Sequence, residues 1–148
     1  MPPAARSPSS AARVVYAGIL ASTLIVSSGA LVVSLSLGSM TAALAPLDAV
    51  VFLVGMGALL AAFRQRQRLG GSTRGETVES WWGENGGKAL LVWGLLELGA
   101  LIGAMLIFAT GRFPIYAVLA TVALSGLVVS SPGRLVRGEM GRRSRLPS

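Results

Sequence analysis

Residues 89–131 read ALLVWGLLELGALIGAMLIFAT, then GR, then FPIYAVLATVALSGLVVSS, and they carry the strongest signal for the fold. The first apolar run holds one charged residue, Glu97, and the second holds none. A helix of about 20 apolar residues crosses the ~30 Å hydrocarbon core of a bilayer. Because only two residues separate the runs, the helices must be antiparallel neighbours. The segment therefore predicts a transmembrane helical hairpin.

Two more apolar runs lie upstream, at residues 14–37 and 47–63, and they predict a second hairpin. The run at 14–37 follows two arginines, as the apolar core of a cleaved signal peptide would. It is longer than the ~7–15 residues of such a core, so we expect an uncleaved span. The expected fold is all-α: a polytopic membrane protein whose four-helix transmembrane bundle is built of two hairpins, with spans at about 14–37, 47–63, 89–110 and 113–131.

The basic residues predict how these spans are oriented. Of the 13 lysines and arginines, all except Arg112 fall in the N-terminal tail, in the loop between the hairpins or in the C-terminal tail. Loops rich in Lys and Arg stay on the cytoplasmic side of a membrane. We therefore expect a flexible cytoplasmic tail at 1–13, a transmembrane domain at 14–131 with a cytoplasmic loop at 64–88, and a basic cytoplasmic tail at 132–148. The expected location is the cell membrane, as a multi-pass protein of a bacterial inner membrane with both chain ends in the cytoplasm.

The composition excludes several classes of function. The chain has 148 residues, 53% of them hydrophobic and 13% charged, which is about half the charged share of a soluble domain. It contains no cysteine and no histidine, which excludes disulfides, thiolate nucleophiles, Cys/His zinc sites and histidine-ligated haem. The net charge is +7, and the basic residues flank the apolar spans. This position favours contact with a bilayer that has anionic headgroups over contact with nucleic acid. We expect no enzyme, no cofactor, no metal and no nucleic-acid partner.

Glu97 is the candidate functional residue. It lies nine positions after Lys88, or about 13 Å along a helix, and therefore near the middle of the bilayer. A carboxyl group at that depth is costly, faces protein or water, and counts as a functional hypothesis by default. Its helical face is shared by Leu90, Trp93, Gly94, Ala100, Leu101, Ala104 and Phe108, with Gly99 and Gly103 almost opposite.

The stretch LELGALIGA at residues 96–104 resembles the outer helix of the proteolipid (c-type) subunit of rotary ATPases, in which an acid is followed by small residues and an Ile-Gly pair. Gly55 and Gly57 on the preceding span, followed by Arg64-Gln65, are similar to that family's Gly-rich first helix and polar loop. The resemblance is confined to the second and third spans. It implies that Glu97 is an ion-carrying carboxylate.

Small residues predict where helices pack closely. Gly99 and Gly103 are one helical turn apart, a spacing that lets two helix backbones touch. Ser27 and Ser34 belong to a similar seam on the first span, together with Thr23 and Ala30. Such seams serve contacts within one chain or between the copies of an oligomer.

The ends of the spans carry two further predictions. Trp81 and Trp82 precede the third span and are expected to anchor it in the headgroup zone, where an indole ring is buried while its N–H stays hydrated. At the opposite end, Asp48 and Arg112 could form an exposed ion pair, which would contribute only ~0–1 kcal/mol.

The expected function is that of a small non-enzymatic integral membrane protein. It would be an accessory or assembly component that acts through helix–helix contacts, with a membrane-protein partner or in a homo-oligomer. The alternative is proton or ion translocation through Glu97, as in a proteolipid-like subunit. Buried acids also serve as interhelical hydrogen-bond partners, and a proton relay normally needs several polar groups in sequence. The helix-contact hypothesis therefore requires only a hydrogen-bond partner for Glu97, whereas ion translocation requires several polar groups in sequence.

Overall fold

The computed structural model describes residues 7–37, 45–69, 76–110 and 113–136. The four long helices are α1 (Pro8–Leu37), α2 (Ala45–Gln67), α3 (Val78–Thr110) and α4 (Phe113–Val129). A short helical turn at 132–136 follows α4. The described part of the chain contains no β-strand, so the all-α prediction is confirmed.

α3 is the central helix of the molecule. It has extensive interfaces with α1, α2 and α4, whereas α4 touches α1 and α2 only slightly. α1 and α2 hardly touch each other. The predicted hairpin of the third and fourth helices is thus packed as a pair. The helices of the other predicted hairpin pack on α3 instead of on each other.

Contacts along α3 give the direction of each neighbour. α1 runs parallel to α3, because Ser9 bonds Glu79 and Ser22 bonds Glu97. The antiparallel contacts are Leu59 with Gly99 and Gly55 with Ile102 for α2, and Gly126 with Leu96 and Leu119 with Gly103 for α4. The starts of α1 and α3 therefore meet the ends of α2 and α4 at the same end of the molecule.

This end collects the positive charge, and it is called the basic end below. Every Lys and Arg in the described ranges lies there: Arg13, Arg64, Arg66, Arg68, Lys88 and Arg134. Asp48, in the first turn of α2, lies at the opposite end and is buried. Basic residues that are far apart in the described sequence thus lie together at one end of the folded molecule.

Capping residues explain why α1 and α3 begin earlier than predicted. Ser7 precedes α1, and its Oγ accepts a hydrogen bond from the Ser10 N–H at 3.4 Å. Pro8 fills the first helical position, where its missing N–H is not needed. Thr77 caps α3 in the same way, through the Ser80 N–H at 3.2 Å. The sequence prediction counted only apolar residues, so it left 8–13 in a tail and 78–88 in a loop, although both are helical.

All four helices expose apolar surface as membrane spans do, and three of them also have the length of a span. Three are long and apolar enough to cross a bilayer: Pro8–Ser36, Leu47–Gln67 and Val78–Thr110. α4 is shorter, with 17 residues that rise ~26 Å. Large apolar side chains stay more than half exposed on every helix, among them Ile25, Leu35, Leu53, Met105 and Val118. Proteins in water rarely leave this much apolar surface uncovered, whereas a membrane-embedded helical protein does.

Candidate functional site

Glu97 lies on α3 beside the interface with α1 and is partly exposed. Its Oε1 is 2.5 Å from Oγ of Ser22, which donates the hydrogen bond. The same Oγ lies 2.9 Å from the carbonyl oxygen of Ile19 in its own helix. A hydroxyl group has a single proton and cannot donate fully to two acceptors. The carboxylate oxygen of Glu97 and the carbonyl oxygen of Ile19 therefore share the single hydroxyl proton of Ser22.

The other carboxyl oxygen of Glu97, Oε2, has no hydrogen-bond partner among residues 7–37, 45–69, 76–110 and 113–136, and it is not enclosed by them. Glu97 borders a strip of α3, between α1 and α2, that no other helix in the described part of the chain covers. This strip, called the open face of α3, consists of Leu90, Leu91, Gly94, Leu98, Met105 and Phe108. The face predicted for Glu97 is thus split: some of its residues lie on the open face, whereas Trp93, Ala100 and Ala104 are buried.

Trp93 connects three helices one turn before Glu97. Its ring packs against Tyr16 of α1, with the ring centroids 5.2 Å apart. Its Nε1–H donates to the carbonyl oxygen of Ser130 at 2.8 Å, and the Tyr16 hydroxyl donates to that of Leu127 at 3.0 Å. Leu127 lies in the last turn of α4 and Ser130 follows the helix directly. The carbonyl groups at the end of a helix have no backbone N–H partner within that helix. Two aromatic side chains therefore satisfy the end of α4.

Trp81 and Trp82 extend this aromatic cluster. Their rings are 4.9 Å apart, and that of Trp82 is 5.9 Å from that of Trp93. The two residues are only 1% and 5% exposed. The prediction placed these rings in the headgroup zone of the membrane, whereas the structure packs both inside the protein, because α3 begins at Val78 and carries them into the core. No pattern in the sequence pointed to this cluster, although it gathers all three tryptophans of the chain.

Gly99 and Gly103 lie where neighbouring helices come closest to α3. A Cβ at Gly99 would be 2.6 Å from Cδ2 of Leu59 on α2. A Cβ at Gly103 would be 3.0 Å from the carbonyl oxygen of Tyr116 and 3.1 Å from the backbone nitrogen of Ala120. At Gly103 the nearby atoms include backbone atoms of α4, which cannot move aside, whereas at Gly99 the nearest atom is the end of the Leu59 side chain. Within this structure the two glycines serve contacts inside one chain, with α2 and α4 respectively.

Two further glycines make the same kind of contact, and sequence reasoning did not assign them this role. A Cβ at Gly55 would be 3.0 Å from both Ile102 and Leu119, and one at Gly126 would be 2.7 Å from Leu96. The signal available was a glycine inside an apolar run. Such a signal does not say which large residue of another helix lies opposite.

Ser27 and Ser34 line α1 without bonding another helix. Ser34 Oγ donates to the carbonyl oxygen of Leu31 at 2.9 Å. Ser27 Oγ is buried and has no partner within the described ranges. Thr23 and Ala30, from the same predicted seam, are buried, and the Thr23 hydroxyl donates to the carbonyl oxygen of Ile19 at 2.8 Å. The seam therefore faces protein, but its hydroxyls do not form a continuous polar chain.

Ser9 and Glu79 join α1 to α3 at the basic end, ten residues before the apolar segment of α3 begins. Ser9 Oγ donates to Oε1 of Glu79 at 2.5 Å, and the Ser9 N–H donates to Oε2 at 3.1 Å. The side-chain bond and then the backbone bond from Ser9 hold the pKa of this carboxyl below its ordinary value of 4.5. Glu79 thus differs from Glu97, because both of its oxygens have donors.

The remaining predicted residues give no second site. Asp48 is buried, and Arg112, its predicted partner, lies outside the described residues. Within the described ranges, no cluster of three or more His, Cys, Asp and Glu side chains could hold a metal ion.

Comparison with protein-family models, with curated proteins and with solved structures finds no match to this chain.

Proposed function

We propose that this chain is a small integral membrane protein that crosses the cell membrane of a bacterium four times, with both ends and the 64–88 loop in the cytoplasm. In this proposal it is not an enzyme. It acts as an accessory or assembly component through contacts between helices. The collection of the bases at one end supports the orientation, since such an end stays on the cytoplasmic side and meets anionic headgroups.

One observation carries the proposal: α1 is attached to the molecule by a single face. That face is anchored by hydrogen bonds and by the Tyr16–Trp93 ring contact. The described residues leave the rest of α1 uncovered, with Ile25 71% and Leu35 75% exposed. Because α1 hardly touches α2, most of its surface is left uncovered by the described residues. Surface of this kind is what a helix–helix contact with a partner would use.

Deletion of the gene from its host tests this function. Membranes of the deletion strain and its parent are extracted in mild detergent and their complexes separated on native gels. We expect at least one complex to be lost or smaller in the deletion strain and to be restored by the wild-type chain and by the Glu97→Gln variant. An unchanged set of complexes would remove the assembly role.

A second candidate function, ion translocation through Glu97, is favoured by Oε2, which has no partner in the described part of the chain, and by the Ser22 hydroxyl beside Oε1. Such a carrier should react with a carbodiimide at Glu97. Liposomes that contain the purified wild-type chain should then take up protons. The Glu97→Gln substitution should abolish this flux, whereas Ser22→Ala should only reduce it. Equal flux in the wild-type and Glu97→Gln proteins would exclude this function.

A further inference from the structure

The helices that pack on α3 leave one of its sides uncovered within the described part of the chain. α1 lies over Trp93 and Glu97, α2 over Gly99, and α4 over Gly103. Because Glu97 and Gly99 are two residues apart on a helix, α1 and α2 lie on nearly opposite sides of α3. The open face lies between them, so that another helix can pack on α3 there.

The surface of the open face suits a membrane helix. Leu98 and Met105 are exposed on it, and a Cβ built at Gly94 meets nothing within 4 Å. These three residues share one side of α3, since they are spaced by four and by seven positions. A small residue in line with large apolar ones lets a second helix approach closely and pack against the larger side chains.

Glu97 adds a polar requirement at the edge of the open face. Its Oε1 is bonded by Ser22, whereas Oε2 has no donor within the described residues. The apolar segments 14–37, 47–63 and 113–131 contain no Lys, Arg, His, Asn or Gln. A polar atom without a partner in hydrocarbon is strongly unfavourable. The charge complement of Oε2, whose charge is negative or partly negative, is a hydrogen-bond donor on whatever lies against this edge.

A side-chain amide is the donor that fits this depth best. An amide has both N–H groups and a carbonyl oxygen, so it can bond a carboxyl group in either of its protonation states. Asn and Gln bond across membrane helices as neutral groups, whereas Lys or Arg would bring a second charge into the bilayer at a higher cost.

The amides of the chain itself cannot meet this requirement from a second copy. The chain has three of them, Gln65, Gln67 and Asn85, and all lie near the basic end. Two copies in one membrane have the same orientation, because their basic ends face the same side. A second copy therefore carries no amide at the depth of Glu97, and the donor belongs to a different protein.

We propose that the open face of α3 binds a transmembrane helix of another membrane protein, which carries Asn or Gln at the depth of Glu97 and bonds Oε2 through its side-chain amide. The inference rests on the proposed function and adds the chemistry of the partner.

Synthetic transmembrane helices test this binding with the full-length chain in liposomes of phosphatidylcholine and phosphatidylglycerol. The probe is a Leu-Ala helix with one central Asn, used at a dilution where it does not associate with itself. One control helix has Leu at that position, and another has the Asn two turns nearer one end. We expect fluorescence transfer to show that the probe binds about threefold to thirtyfold more tightly than either control. Equal binding of all three helices would overturn the proposal.

Variants of the chain place the contact. Glu97→Leu removes the acceptor and should bind the probe no better than the Leu control helix, whereas Glu97→Gln keeps an acceptor and should retain the preference. Gly94→Phe fills the open face and should weaken binding of the probe. Val128→Phe, at an exposed position of α4, should leave it unchanged. A preference for the probe that survives in Glu97→Leu, or equal effects of the two Phe variants, would contradict this site.

Probe binding and gene deletion separate the two proposals. If deletion removes a membrane complex but the probe binds no more tightly than its controls, only the chemistry assigned to the partner is wrong. If the probe binds as expected but deletion changes no complex, only the assembly role is wrong.

Discussion

The hydroxyl of Tyr16 and the indole N–H of Trp93 are small groups with a large structural effect. Each supplies a hydrogen bond to a carbonyl at the end of α4 that the helix itself cannot satisfy. A buried carbonyl left without a donor is destabilising by about 1–3 kcal/mol. Because Tyr16 belongs to α1 and Trp93 to α3, these bonds also tie three helices together.

Replacement of Tyr16 by phenylalanine tests this contribution. The change removes the hydroxyl and keeps the ring that packs on Trp93. We expect the free energy of unfolding in detergent to fall by about 0.5–1.5 kcal/mol.

Tyr116→Phe is the matched control, because the Tyr116 hydroxyl forms no hydrogen bond within the described residues. It should change stability much less. Equal losses in the two variants would contradict the capping role of Tyr16.

At this scale the sequence predicted the unusual residues but not their partners. Glu97 stands out because it is a charge inside an apolar run, and the glycines stand out by their spacing. That Ser22 lies opposite Glu97 follows from the register of α1 against α3, which no local pattern encodes. The burial of Trp81 could not be foreseen for the same reason, since Trp before a span is typical of a headgroup anchor.

The crossing of α3 and α4 at Gly103 depends on the absence of a side chain. In Gly103→Ala the new methyl group would meet the backbone of α4, which cannot move aside as a side chain does. We expect a loss of about 1–3 kcal/mol from overpacking, measured as a lower midpoint of thermal unfolding.

Gly94→Ala serves as the control on the same helix, because its Cβ would meet nothing within 4 Å. Alanine favours a helix over glycine by up to ~1 kcal/mol, so this variant should be as stable as the wild type or more stable. A similar loss in both variants would show that helix propensity, not contact with α4, controls the effect.

The contact between the start of α1 and the start of α3 depends on pH. The pKa of Glu79 is lowered by its bonds from Ser9, so the folded state favours the charged carboxylate. This stabilisation is fully present above the ordinary value of 4.5 and is lost as the pH falls through the lower pKa of the folded state. The protection of the amide hydrogens of residues 9–13 against exchange, measured relative to an unfolded chain at the same pH, should therefore fall below that pH.

Glu79→Gln should remove this acid-dependent step, whereas Glu84→Gln, at an exposed position on the same helix, should keep it. A step that survives in Glu79→Gln must come from another group.

The helices themselves were largely predictable and their arrangement was not. Long apolar runs identified all four helices, since each run is the core of one. The ends depended on caps such as Ser7 and Thr77, which lie outside the apolar runs. The separation of α1 from α2 could not be predicted. A short connection indicates that two consecutive helices run in opposite directions, but it does not require that they pack on each other.

The distribution of charge over the whole molecule gives a test of its orientation. Ser7 and Gly133 are both exposed at the basic end. Single cysteines at these positions should react with an impermeant maleimide only after the membrane is opened. A cysteine at Ser39, in the connection predicted to face outward, should react in intact cells. Labelling of position 7 from outside would contradict the proposed orientation.

The central position of α3 also constrains how the protein is made. Helices leave the ribosome in chain order, so α1 and α2 enter the bilayer before the helix on which both of them pack. Before α3 is made, α1 and α2 lack the helix on which they pack. Ser22 then lacks its partner Glu97, and Tyr16 lacks its partner Leu127 of α4. The nascent chain must therefore hold its first two helices in the translocon or in lipid as independent units, and tertiary structure begins only with the third.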